Sequence, residues 1–284
     1  MSELTLTVLG AGVMGTNIAT TALGHGVPVT LVDVDRRVLE RARVVIAGQL
    51  RHANLLGAFP AGQVEGTLRT TTVLADAMTA SAVVEAVTED VGVKQKVLAE
   101  VSDRVRPGTP LVSNTSGIPI DGLADHVARP GELVGMHFMN PSYLIRMVEV
   151  IRGPRTTGST MDSVAGVLST LGRQGVVVGD APGFVTSRLL HPMINDAIRI
   201  VAQGVATVEA VDSLMHGCLG HPTGPLRTAD LIGLDNLADS LLNLYQRTGD
   251  ECCLPAELLV AKVRAGDLGR KSGCGFYTYE GALS

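Results

Sequence analysis

The residues best suited to proton transfer are His137 and Glu149, each set in a short apolar run. Leu133, Val134 and Met136 lead into the histidine, and Met147, Val148, Val150 and Ile151 bracket the glutamate. Both runs are partly β-branched and bounded by Gly or Pro, which predicts a strand or strand end for each. Asn140, Pro141 and Ser142 between them signal a turn that would bring the chain back and set Glu149 beside His137. A neutral imidazole held by a carboxylate has a fixed tautomer and a stabilised imidazolium, which suits it to take a proton from an alcohol. Taken alone, the two residues read first as a structural histidine in a strand with an unrelated glutamate further on.

The elements that would give such a pair a partner lie in the first third. A strand over 4–9 runs into Gly10, Ala11, Gly12, Val13, Met14 and Gly15, then a helix over 12–23, and a second strand over 27–32 closes on Asp33. In this setting Gly10 permits a tight turn, Gly12 lets backbone approach a pyrophosphate, and Gly15 lets helix and strand pack closely. Phosphates would sit on the helix N-terminus at Val13 and Met14, where unpaired N–H groups and the dipole favour anions. Asp33 would accept hydrogen bonds from the adenosine ribose and repel a 2′-phosphate, which selects NAD over NADP; Arg36 and Arg37 read as the solvated start of the next helix.

Further strands are predicted over 68–72, 82–84 and 111–114, with helices over 35–54 and 92–105. This alternation means a parallel, doubly wound sheet: α/β, Rossmann-type. Residues past strand ends then line the ligand crevice. Glu89 and Lys94 are candidates for the nicotinamide and ribose region, and Ser113, Asn114, Thr115 and Ser116 could hydrogen-bond a substrate carbonyl or the nicotinamide ribose. Charged helix starts and a polar turn before Pro119 would read the same way.

Composition narrows the partners. The 284 residues carry a net charge of -5 with no basic cluster, which argues against nucleic acid. No apolar run is long enough to span a membrane and the N-terminus lacks a signal-type pattern, so a cytoplasmic protein is expected. Cys218, Cys252, Cys253 and Cys274 form no CxxC pair and no metal-ligand spacing; free thiols without assigned chemistry are expected, and no metal. A helix over 160–171 and a strand over 175–178 precede the Pro/Gly punctuation at 179–183, read as a boundary between a nucleotide-binding domain, 1–181, and an all-helical C-terminal domain, 182–284. Helices over 184–203, 208–218, 232–246 and 255–265 would leave apolar faces for the sheet domain and a second subunit to cover.

Together the segments GAGVMG with Asp33, EAVTED, SNTSGIPI, GMHFMNP, RMVEVI, DAPGFVTSRLL, GHPTGPLRTADLIGLD and GRKSGCGFYTY resemble the 3-hydroxyacyl-CoA dehydrogenase family, in family order over nearly the whole chain. The resemblance implies an NAD-dependent oxidoreductase with a helical second domain that forms a homodimer and a thioester substrate between the domains. It implies His137 as general acid/base, Glu149 as its orienting partner and Ser116 as a substrate-binding serine.

Two departures bear on the substrate. Where the family reads a catalytic Asn before Arg-Leu-Leu, this chain has Ser187, which is shorter and offers a hydroxyl in place of an amide. The stretch 51–69 has no lysine, where family members that use CoA often place lysines for its phosphates. With FVTSRLLHPMIND and HPTGPLRTADLIGLDNL, these make the chain similar to a branch serving polyketide biosynthesis. That branch acts on hydroxyacyl groups tethered to an acyl carrier protein, such as the glyceryl thioester leading to hydroxymalonyl or methoxymalonyl units. Alternatives are an (S)-3-hydroxybutyryl-CoA dehydrogenase, a sugar-acid dehydrogenase and a dinucleotide-binding protein without turnover.

Overall fold

A computed structural model describes residues 4–279 of the chain. Short β-branched runs alternate with helices in the order β1 (Leu6–Leu9), α1 (Val13–Gly24), β2 (Val29–Val32), α2 (Arg36–Leu55), β3 (Leu68–Thr71), β4 (Ala82–Glu85), α3 (Val91–Arg104), β5 (Leu111–Ser113), α4 (Ile120–Ala124), β6 (Leu133–Phe138), β7 (Met147–Arg152), α5 (Gly158–Thr170) and β8 (Gln174–Gly179). The strands form one sheet ordered β3-β2-β1-β4-β5-β6-β7-β8, parallel from β3 through β6. This is the doubly wound, Rossmann-type arrangement the alternation predicts. β7 reverses direction against β6, and β8 runs parallel to β7.

α1 is buried from Gly15 to Gly24. Its composition allows this, because Ala and Gly let the sheet approach and the threonines satisfy their own hydroxyls. Thr16, Thr20 and Thr21 each donate to the carbonyl one turn back, at 2.8–3.0 Å. Asp35 caps α2 by accepting from Arg37 N–H, and Asp90 caps α3 by accepting from Val93 N–H.

The Cα trace separates into two units, Met1–Ala181 and Pro182–Ser284. The second contains α6 (Thr186–Ala202), α7 (Val208–Leu219), α8 (Pro225–Ile232), α9 (Leu234–Thr248) and α10 (Glu257–Ala265), packed around Ile194, Ile198, Leu226, Leu237, Leu241 and Leu259. α8 was not expected, since Pro222 and Pro225 read as breaks. Pro225 instead occupies the first turn after Gly224, where a missing N–H goes unneeded. The short α4 was likewise not expected, and α6 begins two residues later than predicted because Phe184 takes a positive φ of 51°. Among the described residues, no helix is long and apolar enough to cross a membrane.

Two buried aspartates close this unit. Asp212 accepts from Leu226 and Arg227 N–H and from the Tyr277 hydroxyl. Asp230 accepts from Phe276 and Tyr277 N–H at 2.9 Å each and from the Tyr279 hydroxyl at 3.0 Å. Burial, with the Asp230 carboxylate beside it, pushes the Tyr279 phenol up to about 12. The C-terminal segment is thereby fastened to the helical core. Asp230→Ala would strand three donors, so we expect a loss of about 3 kcal/mol or more, read as a lower denaturation midpoint.

Candidate active site

The reversal between β6 and β7 sets His137 directly opposite Glu149 in the antiparallel register. Opposed residues share a face, so two side chains twelve positions apart meet: His137 Nδ1 lies 3.1 Å from Glu149 Oε2. Both are buried, at 8 % and 6 % exposure. A carboxylate accepting from Nδ1–H leaves the lone pair of the neutral ring on Nε2, the atom able to take a proton.

The closed end of this hairpin is anchored on both sides of its loop's start. Asn114 Oδ1 accepts from Phe138 N–H at 3.0 Å, tying the peptide after His137 to the end of β5. At the turn, Ser142 N–H donates to Asn17 Oδ1 at 3.2 Å and the Ser142 and Thr21 hydroxyls lie 2.9 Å apart, so α1 holds the loop joining the two strands.

Past β4 and β5 runs a chain of polar groups, buried at Glu85, Lys94 and Ser113 and reaching solvent at Glu89. Glu85, wholly buried, accepts from Lys94 Nζ at 2.7 Å and Val87 N–H at 2.8 Å on one oxygen, and from Ser113 Oγ at 2.6 Å on the other. Lys94 Nζ also reaches Glu89 Oε2 at 3.2 Å. The other Glu89 oxygen accepts from Thr115 Oγ1, Ser116 N–H and Ser116 Oγ at 2.6–3.0 Å. Lys94, expected to line the nicotinamide and ribose, is 1 % exposed with its ammonium between two carboxylates. Its place is that of a brace, because a buried ammonium requires anionic partners and Glu85 and Glu89 supply them. Glu85 carried no expected role, although its position at a strand end beside the glycine loop was a usable signal.

The nucleotide loop fits the cofactor its sequence implies. Gly10 has φ +92°, and a Cβ there would lie 2.6 Å from the Ala86 carbonyl oxygen. A Cβ on Gly15 would fall on the carbonyl of Gly10, whereas one on Gly12 would meet nothing within 4 Å, leaving the space a pyrophosphate needs. The first turn of α1, with Val13 and Met14, has no side-chain cap and no acidic residue, so its N–H groups suit an anion. Asp33 braces this loop as well: its Oδ2 accepts from Ala11 N–H at 2.8 Å and its Oδ1 from Asp35 N–H at 3.0 Å. Ser187 stands in the first turn of α6, in the second unit, and is 4 % exposed.

Two family models divide the chain between them: the NAD-binding domain of 3-hydroxyacyl-CoA dehydrogenase matches residues 5–181, and the C-terminal domain of the same enzyme matches 183–279. The chain belongs to the 3-hydroxyacyl-CoA dehydrogenase family. A probable 3-hydroxybutyryl-CoA dehydrogenase of Deinococcus radiodurans is 42 % identical over 275 residues, which is 96 % of this chain and 99 % of that one. The crystal structure of M. tuberculosis FadB2 superposes with a TM-score of 0.91 at 37 % identity, covering 96 % of this chain and 98 % of that one. That of (S)-3-hydroxybutyryl-CoA dehydrogenase from Ralstonia eutropha gives 0.87 at 34 % identity, covering 98 % and 100 %. This chain is accordingly an NAD-dependent 3-hydroxyacyl-thioester dehydrogenase, an oxidoreductase.

The state of Glu89 makes the polar chain testable. Burial works to raise its carboxyl, but the Lys94 ammonium and the hydrogen bonds from Thr115 and Ser116 outweigh that and hold it below the ordinary carboxylate range. A depressed folded-state pKa contributes stability that is complete above the unfolded value and is lost as pH falls through the folded one. Glu89→Gln should therefore flatten the acid limb of melting temperature against pH; parallel limbs for wild type and variant would remove this role.

Proposed function

We propose that His137 is the general acid/base, Glu149 its orienting partner, and a short 3-hydroxyacyl thioester tethered to an acyl carrier protein the substrate. NAD, when bound, supplies the hydride acceptor. His137 Nε2 takes the proton of the C3 hydroxyl as the carbonyl forms, and Glu149 stabilises the imidazolium. Ser116, its hydroxyl and N–H held with Thr115 on Glu89, is the substrate-binding serine of this reading, and Asn114 keeps the backbone beside His137 in place. Gly10, Gly12, Gly15, Val13, Met14 and Asp33 hold the dinucleotide, with Lys94 acting through Glu85 and Glu89. The observation that carries this reading is the 3.1 Å contact between imidazole and carboxylate at opposed register positions.

The carrier-bound substrate is supported by Ser187, whose short hydroxyl leaves room for a polar substituent where the family reads an amide. It is supported too by the charge in 51–69. That stretch holds no lysine, and Arg69 is engaged by Asp76 at 3.2 Å, which leaves the exposed Arg51 as its remaining arginine for nucleotide phosphates of CoA. A glyceryl thioester, with its extra C2 hydroxyl, fits both features. The names of the relatives favour a second reading, (S)-3-hydroxybutyryl-CoA. A homodimer in the cytoplasm completes the proposal: Val205, Leu214 and Leu219 are exposed apolar side chains on the helical unit, and the four cysteines are free thiols.

Turnover of glyceryl-carrier protein compared with acetoacetyl-CoA reduction separates the two substrates. His137→Ala should lower kcat by roughly 10²–10⁴-fold while NAD affinity, measured by calorimetry, stays near wild type. Equal loss of both would refute its role. Ser187→Asn should raise acetoacetyl-CoA reduction relative to carrier-bound turnover; if both fall together, Ser187 does not set specificity.

A further inference from the structure

Adjacent cysteines carry no recognisable ligand spacing, and none was expected to do chemistry. In the folded helical unit, however, the chain leaves α9, passes Asp250 and makes a single 3₁₀ turn, Glu251–Cys253, that gathers three ligand-type side chains. A carboxylate oxygen of Asp250, Cys252 Sγ and Cys253 Sγ all lie within 4.8 Å of one another, and the two sulfurs are 3.8 Å apart. Zinc–thiolate bonds of ~2.3 Å in tetrahedral geometry place two sulfurs about 3.8 Å apart. The thiols thus stand at the separation they would keep on such an ion.

The turn is held in that form from outside. Asn195 of α6, fully buried, donates to the Cys252 carbonyl at 3.0 Å and the Leu254 carbonyl at 2.8 Å, and accepts from Ala256 N–H at 2.9 Å. Arg199, one turn on, donates to the carbonyls of Glu251 and Leu254. Ligands fixed by hydrogen bonds of this kind need little reorganisation to bind. All three also line an open cavity of about 440 Å³ together with Arg188 and Thr248, so a fourth coordination position can be filled from solvent. Two thiolates and a carboxylate around a divalent ion leave one negative charge, and Arg188 lines the same cavity.

We infer that Asp250, Cys252 and Cys253 form a three-ligand site for a thiophilic divalent cation, Zn²⁺, with its fourth position open to the cavity. Zn²⁺ binds thiolates, so its binding would displace both thiol protons and shield the two sulfurs. The site is independent of the substrate assignment.

The test uses the full-length chain, stripped of metal and kept reduced with a phosphine. Zn²⁺ titrated against a chromophoric chelator should bind at one ion per chain. Alkylation by iodoacetamide, mapped by mass spectrometry, should be slowed by Zn²⁺ at Cys252 and Cys253 and be unaffected by it at Cys218 and Cys274. Asp250→Asn should weaken binding by at least about tenfold, and Cys252→Ser with Cys253→Ser should abolish it. The inference is overturned if the wild-type chain binds no zinc, if zinc shields all four thiols alike, or if affinity survives either substitution. The alkylation pattern of the unmodified chain decides the matter even where a variant does not fold.

Discussion

A parallel sheet cannot place two residues of neighbouring strands face to face when only a short turn joins them; an antiparallel pair can. The reversal between β6 and β7 is therefore the constraint that brings His137 and Glu149 together. A slip of one residue in that register would carry Glu149 to the opposite face from His137 and disconnect the pair. The surrounding bonds read as guards against such a slip. Asn114 fixes the backbone at Phe138, and Asn17 and Thr21 fix the turn at Ser142. Because Asn17 and Thr21 belong to α1, whose uncapped first turn follows the glycine loop, one helix supports both that loop and the hairpin that carries His137 and Glu149.

Burying Glu85 and Lys94 is costly in desolvation, and a paired buried charge is weak evidence for stability in itself. What the pair does is positional. Glu85 joins β4 to β5 through Ser113 and to the following loop through Val87 N–H, while Lys94 carries the connection from α3 to Glu89. Glu89 in turn orders Thr115 and Ser116. Ser113 and Ser116, on either side of Asn114 and Thr115, are thus set by two carboxylates that share one ammonium.

The parts legible in the sequence were those with local signatures. The glycine loop shows because its turn needs Gly10 and Gly15 wherever it occurs, and the hairpin shows because apolar runs flank a Pro-containing turn. Features that depend on contact between distant segments did not show. Lys94 reads as an exposed helix start until Glu85, nine residues earlier, folds beneath it. Pro225 reads as a break until it is seen to start α8 against Asp212. The Asp250–Cys252–Cys253 cluster is invisible as spacing, since adjacent cysteines converge only when Asn195 and Arg199 shape the turn between α9 and α10.

Asp33 illustrates how tightly such a site constrains its own redesign. The carboxylate that would discriminate against a phosphorylated ribose also receives the amide of Ala11, inside the glycine loop, and that of Asp35, the cap of α2. Exchanging it for a small neutral residue to admit NADP would remove the repulsion but also release two backbone donors at the mouth of the crevice. A switch of cofactor preference in this scaffold thus calls for a replacement acceptor to be engineered alongside the selectivity change.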